Sequence, residues 1–165
     1  MLDGIAIKPL KKFPDERGWF SEAMREDWAD IISDRMVQAN YSFTYPGIVR
    51  AWHRHSKGQD DHFLVLNGAA KICAYDDATR ELDEVVSSAA ELKIVKIPGN
   101  YWHGFRVVSN EPGQLLYFVN KLYDSKSPDE ERRPWNDPTI IPAIINGNKS
   151  DPRVGTAWDW FLPPH

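Results

Sequence analysis

Four of the five histidines lie in or beside strand-like segments in the middle of the chain: His53, His55, His62 and His103. His53 and His55 are two residues apart, so a strand would place both side chains on one face. His103 follows a turn signal, Pro98-Gly99-Asn100, at the start of another strand-like segment. Because an imidazole titrates near neutral pH and can also ligate a metal, these residues could transfer protons or bind an ion. The terminal His165 is assigned no role.

A metal site is one interpretation of these histidines. The relevant residues run in the order Gly47, His53, His55, Asp61, Gly68, Pro98 and His103. This order resembles the metal pattern of cupins, in which two His, an acid and a third His bind one divalent ion. Imidazole and carboxylate ligands suit Mn, Fe, Ni or Zn. The usual acid is a Glu closer to the second His, where this chain has Gln59, so Asp61 would have to replace it.

Short strands separated by turn signals would position these side chains. Phe63 to Leu66 ends at Asn67-Gly68, a strong hairpin signal. The strands that we predict cover residues 63–66, 70–75, 92–97, 105–108 and 115–119. Strands at intervals of about ten residues, with turn signals between them, indicate a sandwich or closed barrel.

Two further segments flank the predicted strands. The stretch from Arg25 to Ser33 has apolar residues at helical spacing and predicts one short helix beside the barrel: Trp28, Ile31 and Ile32. From Ser125 onward the chain is rich in Pro, Asn and Asp and reads as an irregular tail. Because this tail carries three large rings, we expect it to pack on the barrel or on a partner subunit: Trp135, Trp158 and Trp160.

Composition limits the class of protein. The 165 residues contain no repeat and no dividing linker, so we expect a single domain over residues 1–165. A net charge of −4 gives no basic footprint for nucleic acid. No signal peptide and no membrane span is predicted, and the single Cys73, interpreted as a core residue, fits a reducing compartment. We therefore expect a cytoplasmic protein that binds neither nucleic acid nor membrane.

Five segments in register resemble the dTDP-4-dehydrorhamnose 3,5-epimerase family of the cupin superfamily. They occur in the following order: residues 15–22 (DERGWFSE), 37–42 (VQANYS), 47–53 (GIVRAWH), 97–105 (IPGNYWHGF) and 135–138 (WNDP). The resemblance extends from about residue 3 to residue 142. It implies an all-β cupin, or jelly-roll, barrel.

The same resemblance implies an isomerase that acts on a nucleotide-linked 4-keto-6-deoxy sugar. Such an enzyme removes a proton next to the C4 ketone and returns one on the other face, which requires a base, an acid and help for the enolate. His53 matches the family's base, and Tyr117 matches its acid. Asp151 is the best substitute for the Asp that orients the base, with Asp159 as another possibility. No cofactor is implied.

The resemblance also assigns residues that bind the substrate. Arg17 and Arg50 match positions that hold the two phosphates, a task that suits the bidentate guanidinium. The other matching positions line the pocket or contact the nucleotide: Glu22, Gln38, Asn40, His103 and Tyr123. The partner implied is a nucleotide-diphosphate sugar. Barrels of this family commonly pair as homodimers that exchange strands or tails.

This chain departs from the family at two places. Trp52 stands where the family has Leu, and Asp61 stands where the family has a Lys near the substrate carbonyl. A carboxylate at that point repels an enolate unless it is protonated or bound to a metal.

Three hypotheses therefore stay open. The first is a metal-free epimerase that uses His53 and Tyr117. The second is a metal-dependent cupin enzyme that uses His53, His55, Asp61 and His103. The third is a sugar-binding cupin without catalysis.

Overall fold

The fold is all-β. The computed structural model describes residues 1–163, so His165 lies outside the described residues. The strands are β1 (Ala6–Pro9), β2 (Phe13–Asp15), β3 (Gly18–Phe20), β4 (Gln38–Thr44), β5 (Val49–His55), β6 (Asp60–Asn67), β7 (Ala69–Tyr75), β8 (Glu81–Ser88), β9 (Lys93–Pro98), β10 (Trp102–Val107), β11 (Gly113–Val119), β12 (Glu130–Arg132) and β13 (Ile144–Ile145). The five strands predicted from the sequence are all present, because hairpin and Pro-Gly turns end them where the turn signals stand.

Two sheets face each other and form a jelly roll. One sheet has the order β1-β9-β6-β11-β4, and the other has the order β12-β5-β10-β7-β8-β13. The short strands β2 and β3 form a separate hairpin whose six residues are all exposed. Apolar side chains from the inner faces of both sheets close one end of the space between them, and they include Phe63, Val65, Ile72, Val95, Phe105 and Leu115. The other end stays open and holds the cavity described below.

Strand β4 reverses the usual pattern of a half-buried strand. Its inward positions carry the polar residues Gln38, Asn40 and Ser42, while Tyr41 and Phe43 point outward and are exposed. In most half-buried strands the apolar residues face the interior. The inversion makes this end of the barrel interior polar and leaves large aromatic side chains on the outer face of β4.

The C-terminal tail packs on the outer face of the six-stranded sheet. A second apolar cluster forms there, made of sheet residues and tail residues: Trp52, Cys73, Tyr75, Leu82, Trp102, Ile140, Ile145, Trp158 and Trp160. Of the two surfaces expected for the tail, the barrel of the same chain is the one that the structure shows. Cys73 is free and fully buried in this cluster, as predicted for a core residue.

The predicted short helix between Arg25 and Ser33 is wrong, because this segment forms turns. The amides of Ile31 and Ile32 both donate to the carbonyl of Trp28, at 3.0 and 2.8 Å, and no helix follows within the described residues. A helix this short is marginal without tertiary support. Instead, single residues of the segment pack on other parts of the chain: Ile31 is buried, and the ring of Trp28 lies under the ammonium of Lys8.

Over residues 1–163, the structure contains no helix with the length and apolar character needed to cross a bilayer.

Candidate active site

A cavity of about 770 Å³ opens between the two sheets. Its walls come mainly from β4, β5, β6 and the segment around β12. The lining residues that the sequence analysis had assigned a catalytic, binding or metal role are Gln38, Asn40, Arg50, His53, His55, Asp61, Tyr117 and Tyr123. His103 is fully buried beneath this wall, with its ring centroid 4.2 Å from that of His53. The barrel therefore brings most of the predicted residues to one place.

Asp61 joins the two sheets at the base of the cavity. It lies on β6, and its side chain is 2% exposed. Its Oδ2 atom is 3.1 Å from Nε2 of His103, 3.7 Å from Nε2 of His55 and 3.8 Å from Nε2 of His53. The ligand atoms of these four residues all lie within 4.8 Å of one another. We call this group the His–Asp cluster.

The register of β5 against β10 explains why the histidines converge. His53 is paired with His103, and the register shifts at the step from His103 to Gly104. A Cβ at Gly104 would collide with the carbonyl of Arg50 and with Ala51, so only glycine allows this close approach. His55 shares the inner face of β5 with His53, as the two-residue spacing predicts.

Neighbouring oxygen acceptors fix two of the imidazole rings. Nδ1 of His103 is 2.8 Å from the carbonyl of Tyr101, and Nδ1 of His55 is 3.2 Å from Oδ1 of Asp129. These bonds place a proton on Nδ1 and turn Nε2 toward Asp61. At 3.1 Å, Nε2 of His103 and the carboxylate oxygen of Asp61 require a proton or a metal ion between them.

Gln59 completes the base of the cavity. Its Nε2 donates to Oδ1 of Asp61 at 2.8 Å and lies 3.1 Å from Nε2 of His55. The amide thereby occupies one carboxylate oxygen and leaves the other facing the three histidines. Burial tends to raise the pKa of Asp61, but the hydrogen bond with His103 and the close imidazoles of His53 and His55 hold it well below its usual range.

His53 and Tyr117 face the cavity from opposite sheets. Burial, together with the charge of His103, lowers the pKa of His53, which favours the neutral imidazole that a base needs. Tyr117 lies on β11 beside Phe63, with ring centroids 5.5 Å apart. Burial, with the charge of Asp61 added, raises the pKa of Tyr117 and keeps its phenol protonated.

Arg50, Gln38 and Tyr123 lie at the open part of the cavity. Nε of Arg50 donates to Oγ1 of Thr44 at 2.9 Å, which leaves the terminal nitrogens of the guanidinium facing the cavity. Gln38 accepts a hydrogen bond from the backbone amide of Tyr123 at 3.0 Å and donates to Asn40 at 2.7 Å. The polar inward face of β4 therefore holds the loop that carries Tyr123.

Besides the buried His103, three predicted residues do not line this cavity. Asp151 is buried behind the six-stranded sheet and accepts two hydrogen bonds from the guanidinium of Arg153, so its position does not support the role of orienting His53. Asp61 is the carboxylate that reaches His53. Arg17 lies on the exposed β2–β3 hairpin, with its side chain 84% exposed and paired with Asp15. Glu22 follows that hairpin and pairs with Arg25.

Sequence reasoning missed one wall of the cavity. Residues 129–135 contribute Asp129, Glu130, Arg132, Arg133, Pro134 and Trp135 to the lining. Strand β12 pairs with β5 so that Arg132 lies opposite His53. A run of five charged residues in a tail rich in Pro and Asp is typical of a solvated loop. The WNDP segment was the only signal that pointed to this part of the chain.

The chain is similar to known proteins in sequence and in fold. Residues 13–131 match the family described as the polysaccharide biosynthesis C-terminal domain. A probable low-salt glycan biosynthesis epimerase of Haloferax volcanii, Agl13, is 40% identical over 140 residues, which are 82% of this chain and 89% of the relative. The dTDP-4-dehydrorhamnose 3,5-epimerase of Methanothermobacter thermautotrophicus is 30% identical over 147 residues, which are 84% of this chain and 78% of the relative.

Among solved structures, the dTDP-6-deoxy-D-glucose-3,5-epimerase RmlC of Legionella pneumophila, in complex with dTDP-4-keto-L-rhamnose, superposes with a TM-score of 0.73. That likeness covers 91% of this chain and 87% of the other at 24% identity, and it confirms the jelly-roll fold. The chain therefore belongs to the polysaccharide biosynthesis C-terminal domain family and to the group of the dTDP-4-dehydrorhamnose 3,5-epimerases.

Proposed function

We propose that this protein is an epimerase of a nucleotide-linked 4-keto-6-deoxy sugar. The observation that carries the proposal is the placement of His53 and Tyr117 on opposite walls of one cavity. Inverting a carbon next to a ketone requires a base on one face of the sugar and an acid on the other. The names of the two relatives, both epimerases, support the same reaction class.

In this mechanism His53 removes the proton. Its lowered pKa leaves a neutral imidazole at pH 7, and His103 and Asp61 lie directly behind it. The imidazole becomes an imidazolium as it takes the proton, and the carboxylate of Asp61 stabilises that charge across 3.8 Å. Asp61 thus acts on the histidines, which explains why a carboxylate is tolerated at a position where the family carries a Lys.

Tyr117 then returns a proton from the other wall. Because its pKa is raised by burial, the phenol holds its proton until the carbanion or enolate forms next to it. The side chain packs against Phe63, so its ring has little freedom to turn away. We assign binding of the diphosphate to Arg50 and contact with the nucleotide to Gln38, Asn40 and Tyr123, which line the same cavity.

Incubation with dTDP- and UDP-linked 4-keto-6-deoxyhexoses, followed by reduction of the ketone and NMR analysis of the product, tests the reaction class. The result expected is a sugar inverted at a carbon next to C4. Tight binding of every candidate without any inversion or proton exchange would instead support a sugar-binding cupin.

A metal-dependent enzyme is the second candidate, because the His–Asp cluster fits a divalent ion. Three imidazoles and one carboxylate are a common donor set for Zn, Mn or Fe, and their Nδ1 partners turn Nε2 of His55 and His103 inward. His53, His55, Asp61 and His103 would hold the ion, which would polarise a carbonyl oxygen as a Lewis acid.

Chelation separates the two candidates. With His53 as the base, we expect protein stripped of metal by a chelator to keep its turnover within about twofold, and one equivalent of Zn²⁺ to inhibit it, since an ion would take the lone pair of His53. Elemental mass spectrometry confirms the metal content before each assay. A stripped enzyme that is inactive, and that one equivalent of metal restores, would establish the metal-dependent mechanism instead.

We also propose that the protein works as a homodimer. Strand β4 is an edge strand, its outer face exposes Tyr41 (58%) and Phe43 (44%), and Tyr45 (70%) is exposed just after it. Exposed aromatic edges of this kind are typical of an interface that a second copy covers. The β2–β3 hairpin holds Arg17 away from the cavity of its own chain, so Arg17 and Glu22 can bind substrate only in the cavity of a partner.

Subunit complementation tests this arrangement. We expect Arg17→Ala and His53→Ala to be weakly active or inactive alone, and mixed dimers to regain activity. In a mixed dimer, one cavity combines the intact His53 of one chain with the intact Arg17 of the other. Random mixing gives about half mixed dimers with one good site each, so activity should recover to about a quarter of the wild-type value. No recovery in verified mixed dimers would mean that Arg17 does not act across an interface.

A cytoplasmic location completes the proposal. Cys73 is buried and free, which is compatible with a reducing compartment. Burial raises the pKa of its thiol well above the usual range, so the residue is inert in the fold.

A further inference from the structure

The end of the tail passes directly behind the strand that carries His53. We call residues 158–162 the C-terminal strap. Trp160 is fully buried, and its ring lies 4.7 Å from that of Trp52. Trp52 precedes His53 on β5, and adjacent residues of a strand point to opposite faces. The strap therefore supports β5 from outside, at the point where the proposed base faces the cavity.

The strap also contacts the wall of the cavity. Residues 132–135 all line the cavity, and we call them the pocket rim. The indole N–H of Trp160 donates to the carbonyl of Trp135 at 3.1 Å, and Phe161 packs edge-on against the ring of Trp135 at 6.1 Å. At the other end of the rim, Arg133 exchanges two backbone hydrogen bonds with Trp52, at 2.9 and 3.2 Å. Trp160 thus contacts Trp135, which belongs to the rim, and Trp52, to which the rim is hydrogen-bonded through Arg133.

Two cations anchor the strap to the barrel independently of the rim. Nζ of Lys71, on β7, donates to the carbonyls of Trp160 and Leu162 at 3.2 and 2.5 Å. Arg106, on β10, donates to the carbonyl of Trp160 at 3.2 Å and stacks on the ring of Phe161 at 4.1 Å. Lys71 is 2% exposed, so its charge depends on these carbonyls and on the Glu84 carboxylate 3.8 Å away. The strap is therefore a fixed support to which the rim can be attached.

We propose that Trp160 is a positioning residue, which holds the pocket rim in place through Trp135 and thereby sets the affinity for the substrate. The effect of Trp160 on substrate affinity rests on the proposed function, whereas the attachment of the rim to Trp160 does not. Trp52, one of the two residues that depart from the family, packs against Trp160 with the two rings tilted by 44°. Trp52 and Trp160 thus form one supporting unit behind β5.

The chain offers a matched pair of variants. Trp160→Phe removes the N–H that binds Trp135 and keeps an aromatic ring in the core. Trp158→Phe makes the same change two residues earlier, but the indole nitrogen of Trp158 has no hydrogen-bond partner among the described residues. Both variants lose similar packing, so a difference between them reports the bond to the rim. Thermal unfolding of both proteins verifies that each is folded.

Hydrogen exchange without ligand tests the attachment. The amide of Arg133 reports the rim, because it donates to the carbonyl of Trp52. We expect its exchange to accelerate about tenfold in Trp160→Phe, the amount that a typical net hydrogen bond accounts for, and to stay at the wild-type rate in Trp158→Phe. Equal exchange in the two variants would overturn the proposal.

Steady-state kinetics tests the consequence for substrate. We expect Trp160→Phe to raise KM about five- to tenfold with kcat within about twofold, and Trp158→Phe to change neither. A fall in kcat at unchanged KM would overturn the assignment to substrate affinity. If wild-type protein converts no nucleotide sugar, the proposed function fails, while the exchange of Arg133 still decides whether Trp160 positions the rim.

Discussion

Replacing Tyr117 by phenylalanine is expected to abolish inversion of the sugar while proton removal continues. Without the phenol, no acid stands on the second face, so epimerisation should fall by about a hundredfold or more. His53 still abstracts the proton, exchanges it with solvent and returns it to the original face. In deuterated water, unreacted substrate should therefore gain deuterium without changing configuration.

His53→Gln gives the complementary result. Neither inversion nor deuterium uptake is expected, because the base that starts both processes is missing. Tyr101→Phe is the control for loss of a phenol, since the hydroxyl of Tyr101 donates to the Asp3 carbonyl outside the cavity. Deuterium uptake that is lost equally in Tyr117→Phe and His53→Gln would contradict the separate roles assigned to the two residues.

Asp61→Asn is expected to lower kcat by about a hundredfold to a thousandfold without unfolding the protein. The amide has the same shape but lacks the charge that stabilises the imidazolium of His53. The fold should persist because the new amide can donate to Nε2 of His103, so no buried nitrogen loses its partner. Kinetics with one defined nucleotide sugar measures the first effect, and urea unfolding measures the second.

The neighbouring Asp60→Asn variant is the control for this change. Asp60 pairs with Lys96 at 3.4 Å and does not line the cavity, so kcat should stay at the wild-type value. An Asp61→Asn enzyme with wild-type kcat would show that the carboxylate has no part in the reaction.

The fold was predictable because its signals are local. Asn67-Gly68 and Pro98-Gly99 end strands β6 and β9 where the sequence indicates. The helix predicted around Trp28 is absent, because the helical spacing of apolar residues does not show that contacts with the barrel stabilise separate turns instead.

The candidate site was predictable only where a residue's identity limits its chemistry. His53, His55 and His103 could be grouped from their types and from the alternation of strands, and the structure places them within one cluster. Asp61 was grouped with them only through the resemblance to the cupin metal pattern, because its contact with all three histidines joins two sheets and no local pattern encodes it. The same reason explains why Asp151 was assigned a role and why the wall formed by residues 129–135 was missed.

The most direct test of the central claim is deuterium uptake from solvent into the substrate, catalysed by wild-type protein that has been stripped of metal. The substrate is dTDP-4-keto-6-deoxyglucose in deuterated water, and NMR follows the carbons next to the ketone. The proposed mechanism predicts deuterium at one or both of these carbons together with inversion, and neither in His53→Gln. Bound substrate that retains all of its protons in the metal-free enzyme would contradict proton transfer by His53 and Tyr117.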